Sequence, residues 1–183
     1  MVILFQRVCF VDNVVIPNSW KTIDATNNKL YVKRTATGTG VVNLFKVITL
    51  TENSYSATTL RTELQTQLNN EFGGSTAITV AYDQVLLRYT IDTNLSNVTL
   101  RFFTDSELAN TTEWTDAGGP AYDKSNLNSA NEVLSIFETQ QAKVYNTGII
   151  NLMRYRNLYL TCPSLNNFST LSPHGSSDVI KKI

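Results

Sequence analysis

Apolar positions follow two different periods along this chain, and the commoner one is that of β-strands. Short runs rich in Val, Ile, Leu, Phe, Tyr and Thr end repeatedly at Gly, Pro, Asn or Asp. We predict strands at residues 2–11, 14–16, 30–34, 41–50, 77–82, 85–92, 97–104, 148–153, 157–162 and 179–183. The links at 83–84 and 93–96 are short enough for hairpins. The chain is therefore predicted to be mainly β.

One segment changes to the period of an amphipathic helix. Apolar residues recur there at every fourth position: Leu60, Leu64, Leu68 and Phe72. We predict one surface helix at about residues 57–72, with Ser56 as N-cap and Tyr55 packing on the first turn. Gly73-Gly74 is the predicted stop. The polar segment 105–129, which contains Gly118-Gly119-Pro120, is predicted to be a long loop, and 131–137 a short helix.

Composition agrees with a β-rich protein that associates easily. Hydrophobic residues make up 42% of the chain and charged residues only 16%, so Asn, Thr, Ser and Gln must supply much of the polar surface. Fifteen basic residues balance fifteen acidic ones. A neutral surface gives little self-repulsion. No basic stripe is present, so we expect no specific nucleic-acid contact.

These patterns predict a single domain spanning 1–183, folded as a single jelly-roll β-sandwich. About eight antiparallel strands would form two sheets, with the helix at about 57–72 inserted between strands. On this topology the first and last strands are sheet neighbours. No segment has the ~18 consecutive apolar residues of a membrane helix, and the N-terminus lacks the basic start of an export signal. We therefore expect no membrane span and no export signal.

Candidate catalytic and metal-binding residues are sparse. The one histidine, His174, lies in a Ser/Gly/Pro segment that is poorly suited to holding an imidazole rigidly. Cys9 and Cys162 lie in apolar strand-like runs and are predicted to be buried free thiols. Gly38–Gly40 follows a strand without a helix after it, which favours a turn over a phosphate loop. We predict no enzyme activity, no catalytic residue, no metal site and no cofactor.

A cluster of carboxylates in the 105–129 segment leaves two chemical alternatives open. Its members are Asp105, Glu107, Glu113, Asp116 and Asp123. Clustered carboxylates can bind calcium, and a pair of them can serve a glycosidase. The EF-hand spacing is missing and nothing selects two of the five. The favoured interpretation is solvated loop carboxylates. Trp114, in the same segment, is interpreted as a core residue, with sugar stacking as the alternative.

The stretch "IPNSW" at 16–20 is predicted to be a structural corner. Pro17 cannot donate to a strand ladder and ends the strand, and Asn18 bends the chain through bonds to its own backbone. Trp20 would then fold back over the end of the core, with its indole N–H bonded to a loop carbonyl.

Three stretches, in this order, carry a resemblance to a known family. They are "VVIPNSW" at 14–20, "ITLTENSYSATTLRTELQTQLN" at 48–69, and "NLYLTCPSL" at 157–165, which is followed by "DVIKKI" at 178–183. They resemble the minor capsid (penton-like) single jelly-roll proteins of the double-stranded DNA virus lineage that includes virophages, Polintons and nucleocytoplasmic large DNA viruses. Two departures are Lys21-Thr22, where the family often has Tyr and Asn, and the end at Ile183, beyond which the family usually continues.

The resemblance implies a structural virion protein, a minor capsid or penton (vertex) subunit of an icosahedral shell. Its partners would be itself, as a homo-oligomer with five copies closing a vertex, and a major capsid protein. Such a subunit is located in the capsid and works by protein–protein contacts alone. The alternative is a receptor- or carbohydrate-binding β-sandwich of a viral spike or fibre, motivated by the Asn/Thr-rich loops and the aromatic residues.

If Trp20 closes the end of the core, Trp20→Ala should lower both the melting temperature and the yield of assembled particles. Thermal denaturation and particle counting by electron microscopy measure the two effects. A variant that folds as wild type but no longer binds a small ligand would show that the corner is a ligand shelf.

Overall fold

The structure is a computed structural model, and part of the chain is described by it. The described residues are 20–38, 40–72, 78–110, 112–116, 118–138, 140–153, 159–161 and 179–182. The chain divides into two compact units, one of Trp20–Arg154 and one of Met1–Ser19 with Tyr155–Ile183. The prediction of one domain over 1–183 stays a prediction.

The larger unit begins with a β-hairpin. Strand β1 (Lys29–Thr37) and strand β2 (Val41–Thr49) are antiparallel and in register from Lys29↔Thr49 to Thr37↔Val41. The turn is held by a bond of 3.1 Å from the Gly38 N–H to the Gly40 carbonyl. The two strands and the glycine turn predicted from the sequence are confirmed, and β1 is longer than predicted.

Helix α1 (Ala57–Phe72) follows the hairpin and buries all four of the apolar residues that predicted it. Its first turn is closed by a reciprocal cap. The Thr59 N–H donates to Ser56 Oγ at 3.2 Å, and the Ser56 N–H donates to Thr59 Oγ1 at 2.9 Å. The helix and its N-cap are confirmed, whereas Gly73-Gly74 lies outside the described residues.

The next hairpin has a longer turn than predicted. Strand β3 (Thr79–Asp83) pairs with strand β4 (Arg88–Asp92), so residues 84–87 form the turn and the prediction of a strand from residue 85 is wrong. The Asp83 carboxylate explains this, because it accepts the N–H groups of Val85 and Leu86, both at 2.9 Å. Leu87 has a left-handed φ of 50°.

The predicted hairpin at 93–96 is also wrong. Strand β5 (Val98–Phe102) pairs with β1 through Val32↔Phe102 to Ala36↔Val98, so the link crosses from one sheet to the other. The fully buried Thr93 hydroxyl donates to the Val98 carbonyl at 2.9 Å and stabilises the corner. Asn94, in the left-handed region at φ 59°, turns the chain.

The segment predicted to be a loop contains two short helices. These are α2 (Asp105–Asn110) and α3 (Glu113–Asp116). Helix α4 (Asn131–Leu134) confirms the predicted short helix but ends early, because Ser135 has a left-handed φ of 52°. The prediction of a strand at 148–153 is wrong. Two shorter strands that were not predicted precede it, β6 (Gln141–Ala142) and β7 (Val144–Asn146).

The strands of the larger unit form two antiparallel sheets. The orders are β2-β1-β5-β6 and β3-β4-β7. One buried cluster joins Val32 and Leu100 of the first sheet, Val80 and Ile91 of the second, and the apolar face of α1 with Leu64. The fold is therefore mainly β and consistent with a β-sandwich.

In the smaller unit, the structure describes the backbone of one pair of strands. Strand β8 (Tyr159–Thr161) and strand β9 (Val179–Lys182) are antiparallel, which confirms these parts of the last two predicted strands. Several predictions lie outside the described residues, namely the strands at 2–11 and 14–16, the pairing of the first with the last strand, and the interpretations of Cys9, Cys162 and His174.

The helix cap can be tested by one substitution. Ser56→Ala removes the acceptor for the Thr59 N–H and should lower the free energy of unfolding by about 1 kcal/mol. Chemical denaturation measures the loss. Ser54→Ala, an exposed serine just before the helix, is the control and should change stability by less than about 0.5 kcal/mol. Equal losses in both variants would contradict the cap.

Candidate functional site

A buried tryptophan lies at the centre of the segment in which the carboxylates cluster. Trp114 is fully buried and contacts four rings nearly edge-on, with centroid distances of 5.5 Å to Tyr31, 5.3 Å to both Phe45 and Phe103, and 6.2 Å to Tyr122. Its indole N–H donates to the Pro120 carbonyl at 2.7 Å. The core interpretation of Trp114 is confirmed. A buried indole bonded to a loop carbonyl is the arrangement predicted for Trp20.

Strand alternation explains why these rings meet. Successive residues of β1 point to opposite faces of the sheet, so Leu30 and Val32 enter the main core while Tyr31 points to the other side. Phe45, on β2, and Phe103, just after β5, lie on that same side. The four-stranded sheet therefore has apolar side chains on both faces, and α2 and α3 cover the second face.

The loop after α3 approaches the indole so closely that only glycine fits. A Cβ at position 119 would lie 2.5 Å from Trp114 Nε1 and 2.6 Å from the Trp114 carbonyl oxygen. The Gly119 N–H donates to that carbonyl at 2.8 Å. This contact closes the loop over the ring.

Two carboxylates of the cluster bind two cations on the sheet. The Arg101 guanidinium donates to Glu107 at 2.6 Å and to Glu113 at 2.5 Å, and Lys33 donates to Glu113 at 3.0 Å. Arg101 also lies over the Phe103 ring at 4.6 Å. These four side chains, called here the charge clamp (Lys33, Arg101, Glu107 and Glu113), connect α2 and α3 to β1 and β5.

The electrostatics of the charge clamp favour the ionised form of Glu113. Partial burial raises the pKa of Glu113, but bonds from Lys33 and Arg101 and their positive charges lower it further, so the pKa lies below its ordinary value. Burial lowers the pKa of Arg101, while its bonds to Glu107 and Glu113 raise it above its ordinary value. A glycosidase acid needs a raised carboxyl pKa. The geometry and charge of Glu113 are instead those of a structural ion pair.

Further carboxylates of the cluster bind groups of the chain itself. Asp105 accepts the Asn131 side-chain amide at 2.7 Å, and Asp123 accepts the Ser125 hydroxyl at 2.6 Å. Glu107 also accepts the Thr104 N–H at 2.8 Å. Glu107 and Glu113 are thus not solvated loop carboxylates, and that interpretation is wrong for them. In the described part of the chain, no three metal-binding side chains come together.

Sequence reasoning missed the two cations of the charge clamp. Lys33 lies two residues after Tyr31 in β1, and Arg101 lies two residues before Phe103, so alternation places all four on one face. The sequence did carry a signal for these ion pairs. Each of the two apolar strands has a basic residue inside it, and acidic residues follow soon after the second strand.

The predicted corner is described in part. Trp20 is the first described residue and is half-buried, whereas Pro17 and Asn18 lie outside the described residues. The role of the corner stays a prediction.

Apolar side chains are exposed at two places on the larger unit. Strand β2 starts with four exposed residues, and Val41 is 69%, Val42 54% and Leu44 39% exposed. The β3–β4 turn exposes Val85 at 90% and Leu86 at 48%. Isolated exposed apolar residues are ordinary, but β2 is outermost among the described strands of its sheet, and three such residues within four positions of it form a candidate contact surface. We call Val41–Leu44 the open edge.

Comparisons with known proteins give no relative: the chain matches no protein-family model, no curated protein and no solved structure. None of the helices in the described ranges has the length and apolar character that a bilayer crossing requires.

The charge clamp predicts a pH-dependent stability. Glu113→Gln should lower the free energy of unfolding at pH 7 by about 1 kcal/mol, a value discounted for screening because the Glu113 side chain is 34% exposed. The folded-state pKa of Glu113 is lowered, so its contribution is full above the unfolded pKa near 4.5. It is lost as the pH falls through the folded-state pKa.

Denaturation of wild type and variant between pH 3 and pH 7 measures this dependence. Asp116→Asn, which neutralises an exposed carboxylate of the same helix, is the control and should change stability little at any pH. An undiminished difference between wild type and Glu113→Gln at pH 3 would show that the charge of Glu113 is not what holds α3.

Proposed function

We propose that the chain is a structural virion protein, a minor capsid or penton-type vertex subunit that assembles by protein–protein contacts into an icosahedral shell. Its fold is a single jelly roll, and its partners are further copies of itself, five at a vertex, and a major capsid protein. The resemblance of the three sequence stretches supports this proposal, as do the two antiparallel sheets.

The observation that carries the proposal is the open edge. Among the described strands, β2 lies at one outer side of its sheet. Its residues 41–45 carry no charged side chain. Proteins that stay monomeric protect such edges with charges, prolines or bulges. Further along the strand, Lys46 is paired with Glu71 at 3.2 Å, so its charge is neutralised. An uncharged apolar edge is suited to a neighbouring copy of the same neutral chain.

The chemistry of the acidic segment also supports a structural role. Glu107 and Glu113 are held in ion pairs, and Asp105 and Asp123 bind groups of the chain. A catalytic or calcium role would require these groups to leave bonds that hold α2 and α3 in place.

The alternative of a carbohydrate-binding spike or fibre domain is not favoured by the site. Trp114, the residue of the acidic segment on which sugar stacking would depend, is fully buried under its own loop. Stacking on a ligand requires an exposed ring face.

The assembly proposal predicts a defined oligomer. Native mass spectrometry and negative-stain microscopy of the full chain, with and without the co-expressed major capsid protein of its source, should give rings of five or incorporation at shell vertices. A chain that stays monomeric at all concentrations and never enters particles would refute the proposal.

The open edge can be tested within the same assay. Val42→Lys places a charge on the exposed edge and should shift the oligomer towards monomer by about tenfold in dissociation constant or more, because pairing would bury an unpaired charge. Thr79→Lys, at an exposed position of β3, is the matched control and should assemble as wild type. Equal weakening by both substitutions would remove the open edge from the interface.

A further inference from the structure

The outer edge of β3 is bonded to side chains of α1 where another strand would normally pair. The Ile78 N–H donates to Asn69 Oδ1 and Asn69 Nδ2 donates to the Ile78 carbonyl, both at 2.8 Å. The Val80 N–H donates to Gln65 Oε1 at 2.9 Å, and Arg61 donates to the Val80 carbonyl at 3.2 Å. All four outward backbone groups of Ile78 and Val80 are therefore satisfied by α1.

Register shows that these are the groups that face away from the sheet. Tyr89 bonds towards β7, because its carbonyl accepts the Thr147 N–H, so Arg88, Thr90 and Asp92 bond towards β3. Their partners in β3 are Asp83, Ala81 and Thr79. The alternate residues, Ile78, Val80 and Tyr82, consequently present their N–H and C=O groups outward, and α1 binds those of the first two.

The spacing of Gln65 and Asn69 on α1 matches the spacing of Val80 and Ile78, the residues that they bind, and Arg61 adds a second bond to Val80. Residues 61, 65 and 69 lie on one row of the helix, with a rise of about 6.0 Å between neighbours. Alternate residues of a strand are about 6.7 Å apart. Helix numbering falls as strand numbering rises, so the row runs antiparallel to β3. The row lies directly beside the apolar stripe of Leu60, Leu64 and Leu68, and packing of that stripe fixes its position.

We propose that α1 acts as a surrogate strand that closes the first part of the outer β3 edge, at Ile78 and Val80, against pairing with another chain. Arg61, Gln65 and Asn69 form this edge guard. An unprotected edge strand offers its backbone groups to any extended segment, including the same edge of a second copy. The edge guard occupies these groups within the molecule, so strand pairing between copies is confined to edges elsewhere. This inference stands independently of the viral function proposed above.

The first test measures the bonds themselves. Gln65→Leu/Asn69→Leu removes the acceptors and keeps a helix-forming residue of similar size at each position. Amide hydrogen exchange followed by NMR should show the Ile78 and Val80 amide protons protected in the wild type. In the double variant their exchange should be faster by roughly tenfold, the loss expected for a hydrogen bond of ordinary net strength. Unchanged protection of both amides would overturn the inference.

The second test measures association. The double variant should form larger species than wild type in light scattering at equal concentration, because its β3 edge is free to pair. Gln67→Leu/Asn70→Leu is the matched control. It changes the same residue types in the same helix, where Gln67 bonds Glu63, and adds the same apolar surface. Association of the control to the same extent, or a deprotected double variant that associates no more than wild type, would show that the bonds only stabilise the fold.

Single conservative substitutions keep the test decisive if the double variant fails to fold. Gln65→Glu retains an acceptor for the Val80 N–H and should keep that amide protected and the protein unassociated. Asn69→Asp retains the acceptor for the Ile78 N–H but loses the donor to the Ile78 carbonyl. It should therefore associate more than Gln65→Glu, and the reverse order would contradict the edge guard.

Discussion

The burial of β1 on both faces is the constraint on which the rest of the larger unit depends. Leu30 and Val32 pack into the core shared with α1 and the three-stranded sheet, while Tyr31 packs on Trp114 on the opposite face. A slip of one residue in the register of β1 would exchange these two sets and place Lys33 in the main core. The alternating side chains of β1 therefore determine what packs on each face of the sheet. Helices α2 and α3 are part of the fold rather than of a free loop.

This arrangement changes what the polar residues can do. The acidic segment has the composition of a calcium or glycosidase loop, yet its carboxylates neutralise Lys33 and Arg101 and cap backbone groups beside Trp114. Contacts with other molecules would therefore be made by the surface of the protein, including the edges of its sheets. The outward backbone groups of Ile78 and Val80 are bonded by α1, and the first half of β2, an outermost strand among those that the structure describes, presents uncharged apolar residues. A protein that works through contacts with neighbours needs this difference between edges.

Long periodic features could be predicted from the sequence, whereas a short turn held by one side chain and features set by distant contacts could not. The helix at 57–72 was predicted correctly because its apolar period and its Ser56 cap are local signals. The run from Val85 was wrongly predicted to be a strand, since a single carboxylate, Asp83, holds those residues in a turn. The link at 93–96 was misjudged because sheet membership depends on the pairing of β5 with β1, far away in sequence. Helices α2 and α3 are too short to show a period, so the segment around Trp114 was wrongly predicted to be a loop although the burial of Trp114 itself was predicted.

The segment covering Trp114 is part of the structural core, and amide hydrogen exchange can test this. The Leu108 and Asp116 N–H groups donate to the carbonyls of Thr104 and Thr112, the residues just before α2 and α3, and the Phe103 N–H donates to the Tyr31 carbonyl of β1. The account predicts that the Leu108 and Asp116 amides exchange only through the same global unfolding that exposes β1. Exchange of these amides through a local opening, at a much lower free energy than the β1 amides, would contradict it and identify the segment as a separate mobile loop.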